Sequence, residues 1–285
     1  KTVLSVPTAT YHEDKMVAFL VNWLTENNIE HYVDEYKNVY ATKQESKELP
    51  EGFYFPCVIS HTDTVHGLND INIREEMLPN AQKEIKLSYK AYDNDGEPTG
   101  IGGDDKCGIY LALEMLDTLP NVKIAFFVSE EIGCKGSMYA DPKFFENVGY
   151  VIQYDSPGGD SMSLTLMGRY LFNQKSEFAD KVTDLITEHG ITDWAYHPYT
   201  DVWQIMEKFN IACLNLAAGY YKYHTENEYV VVDDVQNGYN LGLKLVEILG
   251  ENSYKNYKED KKHTYLTYWG GETKVHNPAK SKNLL

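Results

Sequence analysis

Four short apolar segments of this chain each lead into histidine or acidic residues. They end at His61 and Asp63, at Glu130 and Glu131, at Asp155, and at a loop that carries His224. Short, uninterrupted apolar runs are typical of strands buried on both faces, as in parallel sheets. Parallel strands bring their carboxyl ends to one edge, where ligands bind. The sequence therefore predicts that these side chains meet at one edge of a sheet.

Stretches with helical periodicity alternate with the apolar segments. Apolar residues recur at helical spacing in four stretches, which are 12–28, 176–189, 201–209 and 232–249, and a buried helix is expected over 109–116. Strands that alternate with helices predict an α/β fold: a single domain with a mixed, mostly parallel, twisted central sheet flanked by helices. The composition changes after Gly250, so we expect a catalytic domain over residues 1–250 and a C-terminal extension over 251–285.

The other segments give less regular patterns. Residues 30–36 and 38–42 predict two strands about a tight turn. Residues 66–100 are polar and weakly periodic, which indicates a surface excursion with one strand at 86–92. We also expect one long strand over 161–172 and, within the extension, a strand at 264–269.

Composition and charge exclude several classes of function. The formal net charge of −17 makes nucleic acid a poor partner. No apolar run reaches the roughly 18 residues of a membrane span, so no membrane is expected. The four cysteines are far apart in sequence and lie in or beside apolar stretches, which predicts reduced thiols in a cytoplasmic protein. Cys107 and Cys134 lie next to the predicted site, where either could act as a stray ligand.

A glycine-rich loop precedes the second predicted helix and carries the adjacent acids Asp104 and Asp105. Glycine loops at helix starts can bind phosphate, but two aspartates would repel it, and the loop matches neither GxGxxG nor the P-loop pattern. Carboxylates at a glycine turn suit a cation better.

Two imidazoles and three or four carboxylates would form a set of nitrogen and oxygen ligands. Such a set suits Zn²⁺, and also Mn²⁺ or Co²⁺. One carboxylate could bridge two ions, and one of the adjacent glutamates could ligate while the other stays free for proton transfer. Plainer interpretations remain open for each motif: a strand that surfaces into a polar loop at His61, and an exposed helix start at Glu130.

Five motifs in this order resemble the co-catalytic zinc exopeptidases, and most closely their peptidase T (tripeptidase) branch. The motifs are His61-Thr62-Asp63-Thr64-Val65, Gly103-Asp104-Asp105-Lys106-Cys107-Gly108, Ser129-Glu130-Glu131-Ile132-Gly133, Tyr154-Asp155 and His224-Thr225-Glu226-Asn227-Glu228. The resemblance covers about residues 1–250.

The resemblance implies a role for each matching residue. His61 and Asp155 would hold one zinc ion, Glu131 and His224 the other, and Asp104 would bridge the two. Asp63 would accept a hydrogen bond from His61 and fix its tautomer. Glu130 would be the general base and acid. The resemblance also implies a cis peptide bond between Asp104 and Asp105.

The chain departs from this family in one respect. Only 69 positions separate Asp155 from His224, whereas the family usually inserts a lid and dimerisation domain there. We therefore expect one domain and a monomer or a homo-oligomer formed without a lid. His197 or Tyr220–Tyr223 could replace the lid's oxyanion donor, but simple packing is the favoured role of the tyrosines. The expected substrate is a short peptide, and the preferred activity is that of an aminopeptidase, because arginine, a common partner of substrate carboxylates, is scarce and occurs only at Arg74 and Arg169. A carboxypeptidase, an N-acyl-amino-acid deacylase, a non-catalytic metal-binding module and a structural metal site remain alternatives.

Overall fold

A large mixed sheet forms the centre of the protein. The computed structural model describes residues 1–46, 48–166, 169–196 and 200–256. The strands of these residues are β1 (Glu30–Val33), β2 (Val39–Gln44), β3 (Phe55–His61), β4 (Asn72–Pro79), β5 (Ile85–Tyr92), β6 (Pro98–Thr99), β7 (Asn121–Phe127), β8 (Val148–Ser156), β9 (Ser161–Leu166), β10 (Arg169–Tyr170), β11 (Asp193–Tyr196), β12 (Ala212–Ala217), β13 (Tyr220–Tyr221) and β14 (Tyr229–Val231).

The large sheet has the strand order β1-β2-β7-β3-β8-β12-β9-β10, and β11 also pairs with β9. Its middle strands, β7, β3, β8 and β12, are parallel neighbours. The pairs β1–β2, β2–β7, β12–β9 and β9–β10 are antiparallel. All residues of β3 and β8 are buried, as their uninterrupted apolar runs predict. The predicted single-domain, mixed α/β fold is confirmed.

Helices cover both faces of this sheet. They are α1 (Asp14–Glu26), α2 (Gly103–Thr118), α3 (Lys135–Met138), α4 (Pro142–Phe145), α5 (Glu177–Glu188), α6 (Asp201–Phe209) and α7 (Val232–Leu249), after an initial 3₁₀ turn at Val3–Ser5. Residues of α1, α2, α5 and α7 share one apolar core, represented by Leu20, Leu111, Val182 and Leu241. Residues of α4 and α6 belong to a second core, which includes Ile205. The five predicted helices correspond to α1, α2, α5, α6 and α7.

A second, smaller sheet with the order β13-β14-β5-β4, to which β6 adds at β5, was not anticipated. The predicted strand at 86–92 is present as β5, but residues 66–100 are more than a surface excursion, because β4 pairs with β5 along its whole length. Arg74, Glu75 and Glu76 lie in β4. Three consecutive charged residues interrupt the alternation of apolar and polar side chains that would identify a strand.

Two further expectations need correction. Residues 161–172 do not form one strand, since β9 ends at Leu166 and β10 turns back against it, with Arg169 opposite Leu166. Strand β11 was also not predicted; it pairs in parallel with β9. The strand expected at 264–269 lies outside the described residues. Just after the predicted domain boundary, Tyr254 is buried in the core and its amide donates to the carbonyl of Gly149.

In the part of the chain that the structure describes, no helix is both long and apolar enough to cross a membrane.

Candidate metal centre

The carboxyl ends of β7, β3 and β8 bring the predicted donors to one edge of the large sheet. His61 is the last residue of β3, Asp155 lies near the end of β8, and Glu130 and Glu131 follow β7. These three strands are adjacent, so their ends must lie side by side. His224 comes from the connection between β13 and β14 of the small sheet. Residues separated by up to 163 positions thus converge on one site.

Asp104 arrives from the glycine loop that opens α2. Gly102 has a φ of 67°, a left-handed conformation that favours glycine. Asp104 and Asp105 have non-helical backbone angles, and the peptide bond between them is cis, as the resemblance implies. The loop therefore presents the Asp104 carboxylate before the regular helix begins.

The five predicted ligands form two groups that share Asp104. In the first group, His61 Nε2 lies 3.1 Å from Asp104 Oδ1 and 3.5 Å from Asp155 Oδ1. In the second, His224 Nε2 lies 3.2 Å from Asp104 Oδ2 and 3.1 Å from Glu131 Oε2. Within each group, the potential ligand atoms all lie within 4.8 Å of one another. One oxygen of Asp104 faces each group, which is the arrangement that a bridging carboxylate requires.

The two groups differ in burial. The side chains of His61, Asp104, Asp155 and Glu131 are at most 9% exposed, whereas the His224 side chain is 42% exposed. The second group therefore opens toward solvent, and that is the side from which a substrate could approach.

The ionisation of these groups reflects their crowding. Hydrogen bonds with Asp104 and Glu131 raise the pKa of His224 to about 10. Burial would raise the pKa of Asp104, but His224 and His61 outweigh burial and hold it well below the usual range. Burial raises the pKa of Asp155 well above its usual value. A buried set of this kind favours a compensating positive charge, whether protons or a cation.

Glu130 belongs to neither ligand group. Its Oε2 lies 4.0 Å from His61 Nε2, and its Oε1 accepts a hydrogen bond from the Cys134 thiol at 3.2 Å. Burial, together with the charges of Asp201 and Asp104, raises the pKa of Glu130 to about 8 against the opposing effect of His61. A carboxyl group thus lies beside the donors without joining either set.

Asp63 is fully buried behind His61. Its carboxylate accepts from the backbone amides of Glu130 (2.9 Å) and Glu131 (3.3 Å) and from the Thr10 hydroxyl (2.9 Å). His61 Nδ1 lies 3.4 Å from Asp63 Oδ1 and 3.1 Å from the Asp63 carbonyl oxygen. His61 Nδ1 thus faces both the carbonyl and the carboxylate of Asp63, with the shorter contact to the carbonyl oxygen, and the carboxylate also holds the segment that carries both glutamates.

Sequence reasoning missed several residues that support the donors. Gln153 Nε2 donates to Asp155 Oδ2 at 3.2 Å, and the Asn215 side chain accepts from the Asp155 amide and donates to its carbonyl. Asp105 accepts from the Ser60 hydroxyl at 2.6 Å. The signal for Gln153 and Asn215 was a polar side chain inside an otherwise apolar strand.

The remaining sequence candidates have other environments. All four cysteines are buried and free, and neither Cys107 nor Cys134 belongs to a donor group of the described residues. The Tyr221 hydroxyl donates to Asp234 at 2.5 Å and accepts from the Ala81 amide, so it is engaged in the small sheet. The Tyr223 ring packs edge-on against His224, with ring centroids 5.0 Å apart. His197 lies outside the described residues.

Comparison with known proteins gives a fold but no close relative. No family model matches the sequence, and no curated protein matches it. Among solved structures, aminopeptidase PepT from Bacillus cereus ATCC 10987 superimposes with a TM-score of 0.69 at 15% identity, covering 87% of this chain and 96% of that one. The chain has the fold of this peptidase. A tripeptidase from Staphylococcus aureus gives a TM-score of 0.64 at 14% identity, with 87% and 96% covered. An aminopeptidase from the archaeon Desulfurococcus kamchatkensis gives 0.62 at 14% identity, with 89% and 93% covered.

Proposed function

We propose that this protein is a two-metal exopeptidase that removes amino-terminal residues from short peptides. One observation carries the proposal: two groups of nitrogen and oxygen donors share Asp104, while Glu130 stays outside both and within 4.0 Å of His61. A purely structural metal site has no use for a spare buried carboxyl group, whereas hydrolysis requires one. The fold shared with PepT and with the tripeptidase supports the same activity class.

The donor chemistry fits divalent transition ions. His61, Asp104 and Asp155 would hold one ion, and Asp104, Glu131 and His224 the other. Imidazole with carboxylate suits Zn²⁺ best among common ions, and Mn²⁺ or Co²⁺ would also fit. Ions bound there supply Lewis acidity, which acidifies water and polarises a peptide carbonyl.

Glu130 is assigned the proton transfers. One of its carboxylate oxygens takes a proton from water as the carbonyl carbon is attacked, and the resulting carboxylic acid gives that proton to the departing amine nitrogen. The Cys134 thiol, which donates to Oε1, leaves Oε2 on the side of His61 for this exchange. Positive charge held by the neighbouring donors would lower the pKa of Glu130 and keep it ionised at neutral pH.

Asp63 is assigned a positioning role on both sides of the centre. Its carboxylate restrains His61 through Nδ1 and holds the backbone at Glu130 and Glu131. A general base must be held within hydrogen-bonding reach of the water that it deprotonates. Asp63 would therefore fix the distance between the base and one of the ions.

The preference for a free amino terminus follows from the distribution of charge. Arg169 pairs with Glu207 at 3.3 Å, and the Arg74 guanidinium stacks on Tyr92 at 4.2 Å, so both arginines have partners away from the donor groups. The chain carries a net charge of −17, which favours a cationic substrate group over a carboxylate.

The deciding experiment measures metal and activity together. Protein freed of metal with a chelator should bind two zinc ions per chain and then cleave leucyl-p-nitroanilide, with little turnover of N-acetyl-leucine. Absence of tight zinc binding, together with no peptide cleavage after addition of zinc, cobalt or manganese, would refute the proposal. Preferred turnover of N-acetyl-leucine would instead assign the site to a deacylase.

A further inference from the structure

Glu228 is a fully buried carboxylate that takes no part in either donor group. Its Oε2 accepts from His66 Nε2 at 2.7 Å and from the Gly102 amide at 2.8 Å. Its Oε1 accepts from the amide of Asp104 at 3.1 Å. Because an ionised carboxylate can only accept hydrogen bonds, these three donors satisfy its oxygens, and the buried Lys106 ammonium interacts with its charge.

These contacts connect three segments that each carry predicted ligands. His66 lies five residues after His61, Gly102 and Asp104 belong to the glycine loop, and Glu228 lies four residues after His224. Of the three hydrogen bonds, the one from the Asp104 amide bears most directly on a predicted ligand, because Asp104 also carries the shared carboxylate.

The glycine loop is packed tightly against this pair. A Cβ atom on Gly100 would lie 2.0 Å from the His66 ring, and one on Gly103 would lie 3.3 Å from Glu228 Oε1. Atoms cannot approach as closely as 2.0 Å, so the imidazole occupies the space that a side chain at position 100 would need. The loop thus has little freedom to shift while His66 and Glu228 remain in place.

We propose that Glu228 and His66 form a positioning pair that holds Asp104 between the two metal groups. The inference rests on the proposed function, because it assigns the pair to the carboxylate that would bridge two ions. Neither residue belongs to a donor group, so both are positioning residues rather than ligands or catalytic groups. Since Asp104 is common to both groups, loosening it should weaken the binding of both ions together.

The test is zinc affinity of folded, initially metal-free protein, measured by competition with a chromophoric chelator. Glu228→Gln keeps the size of the side chain but replaces one carboxylate oxygen with an NH₂ group. In one orientation this NH₂ group would face His66 and the Gly102 amide, and in the other it would face the Asp104 amide. Loss of a residue that orients metal ligands costs about 10- to 100-fold in affinity. We expect that loss at both sites, with near-wild-type circular dichroism.

A matched control separates positioning from general stability. Asp34 is a half-buried carboxylate that also accepts two backbone amides, from Tyr36 and Asn38, but contacts no donor of the centre. Asp34→Asn should lower the melting temperature and leave zinc affinity unchanged. His66→Gln tests the pair from the other side, and remains informative should Glu228→Gln fail to fold. Its effect and that of Glu228→Gln should be less than additive.

The outcomes are distinguishable. Wild-type zinc affinity in folded Glu228→Gln or in His66→Gln overturns the inference while leaving the proposed peptidase intact. A loss of affinity equal to that of Asp34→Asn also overturns it, since the effect would then be general. Wild-type protein that binds no zinc overturns the proposed function and this inference together.

Discussion

Replacing Asp63 with asparagine exchanges one oxygen of a fully buried carboxylate for an NH₂ group. Oδ1 accepts from the Glu130 amide and lies near His61 Nδ1, whereas Oδ2 accepts from the Thr10 hydroxyl and the Glu131 amide. The amide can be placed in either orientation, but one backbone N–H then always faces another donor. The hydrogen bond that remains is made to a neutral amide oxygen and no longer to a charged carboxylate.

The cost follows from these contacts. A hydrogen bond to a charged group contributes about 1.5–3 kcal/mol, and an unsatisfied buried donor costs about 1–3 kcal/mol, so partly overlapping losses give about 2–4 kcal/mol. With a urea slope of about 3 kcal/mol per molar, the unfolding midpoint of the metal-free protein should fall by about 1 M. Intrinsic tryptophan fluorescence during urea titration measures this midpoint. The exposed control Asp95→Asn should shift the free energy of unfolding by no more than about 0.5 kcal/mol.

The pH dependence supplies a second constraint on Asp63. Burial acts to raise its pKa, but hydrogen bonds from His61, Glu130 and Thr10 outweigh burial and lower the pKa below the ordinary value of 3.8. Stability from a carboxylate with a lowered pKa is present above 3.8 and is lost as pH falls through the folded-state pKa. The difference between wild type and Asp63→Asn should therefore be constant from pH 7 to pH 5 and shrink only below about pH 4. A variant as stable as wild type at pH 7 would refute this reasoning.

Three further predictions concern the base, the second histidine and the glycine loop. Glu130→Gln should retain its zinc and lose about 10²- to 10⁴-fold in kcat; wild-type turnover would contradict the role of the base. Since His224 has a pKa of about 10 in the metal-free protein, it must release a proton on ligation, so zinc affinity should rise about tenfold per pH unit below pH 10 for each proton released. Calorimetry in two buffers of different ionisation enthalpy measures that proton, and identical heats would contradict it. Gly108→Ala places a Cβ 2.4 Å from the Asp105 carboxylate and should destabilise the fold by about 1–3 kcal/mol. Gly67→Ala, which meets open space, is its control, and equal urea midpoints would exclude the steric argument.

The central strands of the large sheet could be predicted because the pattern that identifies each strand lies within its own residues. Strands β3, β7 and β8 are buried on both faces, so their apolar runs are continuous and their polar ends are abrupt. The order of the strands was not predicted, because three polar ends can meet at one edge of a sheet in any order. The small sheet was not predictable, since β4 is largely exposed and its charged residues carry little periodicity.

The candidate metal centre shows the same contrast between features that lie within one segment and features that depend on distant residues. Ligand candidates could be identified because acids at the ends of buried strands are costly and therefore informative. Their supports could not, because Asn215 reaches Asp155 across 60 positions and His66 reaches Glu228 across 162. Gln153 lies only two positions before Asp155, but it showed in the sequence only as a polar residue in an apolar strand. Glu228 was visible in the motif after His224, but sequence alone did not indicate that it turns inward.

The two donor groups depend on different parts of the architecture. The side chains of His61 and Asp155 come from the large sheet and that of Asp104 from α2, whereas the other group also requires the β13–β14 hairpin to deliver His224. Opening that hairpin would remove His224 from the second group and would also withdraw Glu228 from the amide of Asp104, so both groups would be disturbed. Because His61, Asp104 and Asp155 are buried whereas the His224 side chain is 42% exposed, we expect an ion bound by the enclosed group to be retained longest and an ion bound by the outer group to exchange more readily with solvent.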